Sequence, residues 1–119
     1  SVDTQGYYAV RFMMGFGAIV AGAVTSTKVR QGTDTGMTDA ADIKDTKITV
    51  ADTDDNSVVI SEIFRPQERF LDFVIDRGTK NATVDFLVAE LFSAGYEPVT
   101  KHATVVTQEI HNAPDEGTA

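Results

Sequence analysis

The chain is 119 residues long, with 42% hydrophobic and 24% charged residues, no cysteine, and 18 acidic against 10 basic side chains for a formal charge of −8. A chain of that size forms one domain that buries roughly two-thirds of its unfolded surface, and the composition fits a soluble globular domain better than a disordered or membrane protein. The acidity repels phosphate backbones and anionic lipid, which argues against nucleic-acid and membrane partners. The lack of cysteine excludes disulfide and thiolate-metal frameworks and suits a reducing cytoplasm.

From Tyr7 to Met14 the residues alternate, with Tyr8, Val10, Phe12 and Met14 on one side and Tyr7, Ala9, Arg11 and Met13 on the other, so the first expected element is a strand. Gly15-Phe-Gly-Ala-Ile-Val-Ala-Gly22 follows, and its three glycines predict a bend or hairpin corner. The apolar run from Phe12 to Val24 falls short of the roughly 20 residues that span a bilayer. The N-terminal Ser1 fits removal of an initiator Met, and with no signal-like segment after it, cytoplasmic synthesis is expected. A second strand is expected from Ala23 to Gln31, with Ser26, Lys28 and Arg30 on one face. Gly32 to Thr46 is polar and aspartate-rich, which predicts a surface loop with one helical turn near Thr38 to Ile43, capped by Thr38 or Asp39.

A short strand at Lys47 to Ala51, a turn at Asp52 to Ser57 and a strand at Val58 to Phe64 come next. Arg65-Pro66 opens a connection, because proline fixes its own φ and keeps the residue before it out of helical space. Arg69 to Asp76 is the following strand, closed by a glycine turn at Arg77 to Asn81. Ala82 to Phe92 satisfies both helical and extended spacing, and its β-branched start favours a strand. A last strand is expected over Thr104 to Ile110, then a loose tail from His111 to Ala119. This run of short strands and turns predicts an all-β fold: a single-domain, jelly-roll-like β-sandwich over residues 1–110 with a short C-terminal tail over 111–119.

Chemistry-bearing motifs are weak. Asp52, Asp54 and Asn56 open like a calcium loop, but Ser57 stands where glycine is needed and Ile63 where a bidentate glutamate belongs, so a solvated turn is the better reading. Gly15, Gly17 and Gly22 lack the spacing and the Lys-Ser/Thr pair of a phosphate loop. His102 and His111 stand in polar surroundings without a ligand constellation. Asn81-Ala82-Thr83 fits a glycosylation acceptor, but in a chain without secretion features a turn followed by a strand is much the better reading. No nucleophile elbow is present. The expectation is a protein that is not an enzyme, with no cofactor and no metal or catalytic residues.

Adhesion to another protein leaves more candidates. Tyr7, if outward-facing, can anchor an interface. Arg65 and Arg69, four apart around Pro66, can present planar donors to carboxylates, either on a partner or internally on Glu68 or Asp72. With Arg11 and Arg77 they complete the candidate interface set: Tyr7, Arg11, Arg65, Arg69 and Arg77.

The stretches Asp3-Thr-Gln-Gly-Tyr-Tyr-Ala-Val10, Phe64-Arg-Pro-Gln-Glu-Arg-Phe70, Asp76-Arg-Gly-Thr-Lys-Asn81 and His111-Asn-Ala-Pro-Asp-Glu-Gly-Thr-Ala119 resemble small head-associated structural proteins of tailed bacteriophages. The resemblance is one of overall character and involves no diagnostic motif. It implies a capsid decoration or cement protein on the outer surface of the virion, a dimer or trimer whose partner is the major capsid protein. A tail or fibre component and a carbohydrate-binding jelly-roll module are the alternatives.

Overall fold

The computed structural model describes residues 1–94, 106 and 116–118. The expected strand over Thr104 to Ile110 and the tail from His111 lie outside the described residues, apart from 106 and 116–118. The described residues form eight strands: β1 (Val2–Asp3), β2 (Tyr7–Ile19), β3 (Thr25–Gly32), β4 (Ala41–Asp42), β5 (Ile48–Val50), β6 (Val58–Phe64), β7 (Phe70–Asp76) and β8 (Ala82–Ala94). They build two antiparallel sheets packed as a β-sandwich, as the alternating sequence predicts. In the five-stranded sheet the order is β1-β7-β3, with β4 and β5 both pairing β3; the three-stranded sheet has the order β6-β2-β8.

Alternation explains the layering, because successive side chains of a strand point to opposite faces. Val10, Phe12, Met14 and Phe16 of β2 turn inward and are buried, facing Val29 of β3 and Leu71 of β7 across the sandwich. Phe12 stacks on Phe73 with ring centroids 5.4 Å apart. Ser26, Lys28 and Arg30 of β3 share the opposite face, as expected, and there Arg30 grips Asp72 through two bonds of 3.0 and 2.5 Å while Lys28 reaches Asp42 at 2.9 Å. Ala82 to Phe92 is strand, the extended reading of its ambiguous spacing.

Two expectations need correction. The bend expected over Gly15 to Gly22 falls only at the end of that stretch, in the turn from Val20 to Ala23: β2 runs on to Ile19, with register shifts against β8 between Gly15 and Phe16 and again before Ile19. Gly15 and Gly17 are used for their missing side chain, since a Cβ at Gly15 would lie 2.2 Å from the Phe86 ring and one at Gly17 would lie 2.8 Å from the Asp85 carboxylate. Only Gly22, at φ 80°, supplies a left-handed turn residue. The second correction concerns Thr38 to Ile43, where no helical turn forms. Ala41 and Asp42 pair instead with Gln31 and Arg30, and Asp39 accepts the Thr33 amide at 3.0 Å and the Thr33 hydroxyl at 2.7 Å. That hydroxyl first, then the amide, lowers the Asp39 pKa. Closing the loop onto the β3 edge satisfies backbone groups that a lone helical turn would leave open.

Candidate functional site

The three-stranded sheet has one face on the core, and its other face, exposed among the described residues, is largely apolar. Register builds it in rows across β6, β2 and β8. Val58, Gly15 and Phe86 form one row, Ile60, Met13 and Val88 the next, then Glu62, Arg11 and Glu90, then Phe64, Ala9 and Phe92. Val58, Ile60, Phe64, Phe86 and Val88 each leave about half of their surface in water, with Phe64 at 63% and Ile60 at 52% exposed. Monomeric proteins seldom expose so continuous an apolar surface, and where they do it is a candidate for protein–protein or membrane contact, ligand binding or aggregation. Among the described residues no other part of the chain covers it.

One charged row interrupts the apolar ones. The Arg11 guanidinium lies between two carboxylates, at 2.7 Å from Glu62 and 3.2 Å from Glu90, and stands 5.3 Å from the centroid of the Phe92 ring. Its hydrogen bond to Glu62 above all, with the attraction of both carboxylates, raises its pKa and keeps it charged. Phe92 in turn meets Phe64 edge-on at 5.5 Å. The face is therefore a hydrophobic surface with a positioned, directional charge group near its centre.

At one end of this sheet a cleft is lined by Tyr7, Tyr8, Phe64, Arg65, Pro66 and Ser93. Arg65 and Ser93 both have positive φ, 49° and 54°, in a left-handed conformation uncommon for non-glycine residues. The Arg65 amide donates to the Tyr8 carbonyl at 2.6 Å and pins the connection after β6 onto the start of β2.

The expected interface residues thus separate. Tyr7, half-buried, and Arg65 meet in the cleft, and Arg11 lies on the adjoining face. Arg69 belongs elsewhere: it grips Asp3 through bonds of 2.9 and 2.8 Å and covers Phe70, holding β1 to the five-stranded sheet. Its partner is Asp3, where the sequence offered Glu68 or Asp72; Asp72 is taken by Arg30. Arg77 donates to the Asn81 side chain at 3.1 Å within the turn before β8. Asp52 and Asp54 accept backbone amides of Gly22 and Ala51, at 2.6 and 2.9 Å.

Sequence reasoning overlooks the apolar residues that make the face. The signal is present in β6: Val58, Ile60 and Phe64 fall on one side and Val59 and Ile63 on the other, so the strand is apolar on both sides and needs both covered. Comparison with protein-family models, with curated proteins and with solved structures finds nothing that matches this chain.

Proposed function

We propose that this chain is a decoration, or cement, protein of a tailed-bacteriophage head, a homo-oligomer that adheres to the outside of the assembled shell and bridges subunits of the major capsid protein. The observation that carries an adhesive reading is the exposed apolar face of the β6-β2-β8 sheet, and the resemblance of the sequence to head-associated proteins gives the partner. Binding to a site that exists only on assembled subunits stabilises the shell by mass action. An oligomer that engages neighbouring sites gains avidity of about 10²- to 10⁴-fold, because its second contact is effectively intramolecular.

Mass spectrometry of purified virions tests the proposal: the protein is expected in the particle at a copy number that follows the shell lattice, and heads lacking it are expected to break at lower temperature. Absence from the particle refutes the reading, and a copy number of a few per particle assigns the chain to the tail instead. The aromatic cleft of Tyr7, Tyr8 and Phe64 supports a second reading, a carbohydrate-binding module that stacks sugar rings, and glycan-array binding lost in Phe64→Ala is its signature.

A further inference from the structure

Resting on the decoration reading, the charge pattern of the apolar face specifies what it meets. Arg11 is shared by Glu62 and Glu90, and Asp85 adds a third carboxylate beyond, over Gly17. Of the two arms of the triad, Glu90 is the longer at 3.2 Å and the more exposed, its side chain 50% accessible against 37% for Glu62. The face therefore has one carboxylate that a docked partner would desolvate and only partly find satisfied. A buried carboxylate without full compensation is strongly unfavourable.

A second copy of the chain is a poor occupant. Two such faces laid together enclose four triad carboxylates with two guanidiniums, doubling the excess, and each molecule already has a formal charge of −8. We propose that the face docks on an apolar patch of the capsid protein centred on an unpaired lysine or arginine, which takes Glu90 and completes an alternating row of two cations and two carboxylates. Copies of this chain that associate through other surfaces leave the face free for the shell.

Binding of Glu90→Gln, Glu90→Lys and Asp55→Lys proteins to decoration-free heads of the encoding phage tests this, with thermal melts confirming that each folds. Asp55 is exposed in the loop before β6, so its replacement makes the same change in net charge outside the Glu62–Arg11–Glu90 row. Expected are affinity losses of about 10-fold for Glu90→Gln and of order 100-fold or more for Glu90→Lys, as for a truncated or reversed interfacial charge pair, with Asp55→Lys within about 2-fold of wild type. If wild-type protein binds and Glu90→Lys binds equally well, the charge proposal is overturned and the decoration reading stands. If wild-type protein does not bind heads, both fall. Sedimentation showing a wild-type dimer that Glu90→Lys strengthens or Ile60→Asp disperses assigns the face to a second copy and overturns the proposal.

Discussion

At the scale of single residues, two features of the sandwich make measurable commitments. The hydroxyls of Thr25 and Thr27 are buried on the inner face of β3 with no hydrogen-bond partner among the described residues. A buried hydroxyl without a partner costs more than a methyl group of the same shape, and valine suits a strand at least as well as threonine. Thr27→Val is expected to raise stability by about 1 kcal/mol in urea denaturation; a loss of similar size would show that the hydroxyl is bonded after all. Asp3 makes the second commitment. The Arg69 guanidinium, helped by the Gln5 amide, lowers its pKa from 3.8 to about 2. A carboxylate lowered on folding stabilises the folded state fully above its unfolded value and stops doing so as the pH falls through its folded value. Protection of the Thr4 amide, whose N–H bonds the Arg69 carbonyl at 2.9 Å, measured as its exchange rate relative to that of an unfolded chain at the same pH, is therefore expected to hold at pH 4 and to fall as the pH falls toward 2. Asp3→Asn is expected to abolish that step, and a wild-type transition centred at pH 4 would contradict the pairing.

Among the elements, β2 holds the fold together, because it is the middle strand of the three-stranded sheet and supplies Val10, Phe12, Met14 and Phe16 to the core. Its apolar alternation is local and so was legible from Tyr7 to Met14. The glycines that follow were not, because glycine serves two opposed purposes, left-handed turns and the close approach of a neighbour, and only the neighbour distinguishes them. At Gly15 the neighbour is Phe86, on a strand about seventy residues further along. Gly15→Ala places a methyl where the ring lies, and we expect a cost of about 1–2 kcal/mol as the ring is displaced. In a Phe86→Ala background the same substitution is expected to be neutral or stabilising by up to about 1 kcal/mol, since alanine loses less entropy than glycine on folding. Equal costs in both backgrounds, measured as a double-mutant cycle, would show that the ring and the glycine are not coupled.

Across the whole molecule, the sandwich follows from period-two patterning but the exposed apolar face does not, since a face exists only once β6 and β8 have been placed on either side of β2. Arg11 shows the difference: its carboxylate partners lie 51 and 79 residues away in sequence, beyond any spacing argument. The same placement sets Ile60 and Val88 on either side of Met13 in a wholly apolar row of the face. If that row is a docking surface and not part of the folding core, replacing it should separate binding from stability. Ile60→Thr with Val88→Thr keeps two β-branched residues in their strands while removing apolar contact. Folding stability is expected to stay within about 1 kcal/mol of wild type. Each substitution is expected to remove about 1 kcal/mol of association energy, so affinity for decoration-free heads falls roughly 30-fold for the pair. Thermal melts and a binding isotherm on the same protein decide the matter. A fall of many degrees in Tm would place the two side chains in the packed interior, and an undiminished isotherm would show that the proposed contact with heads does not run through this row.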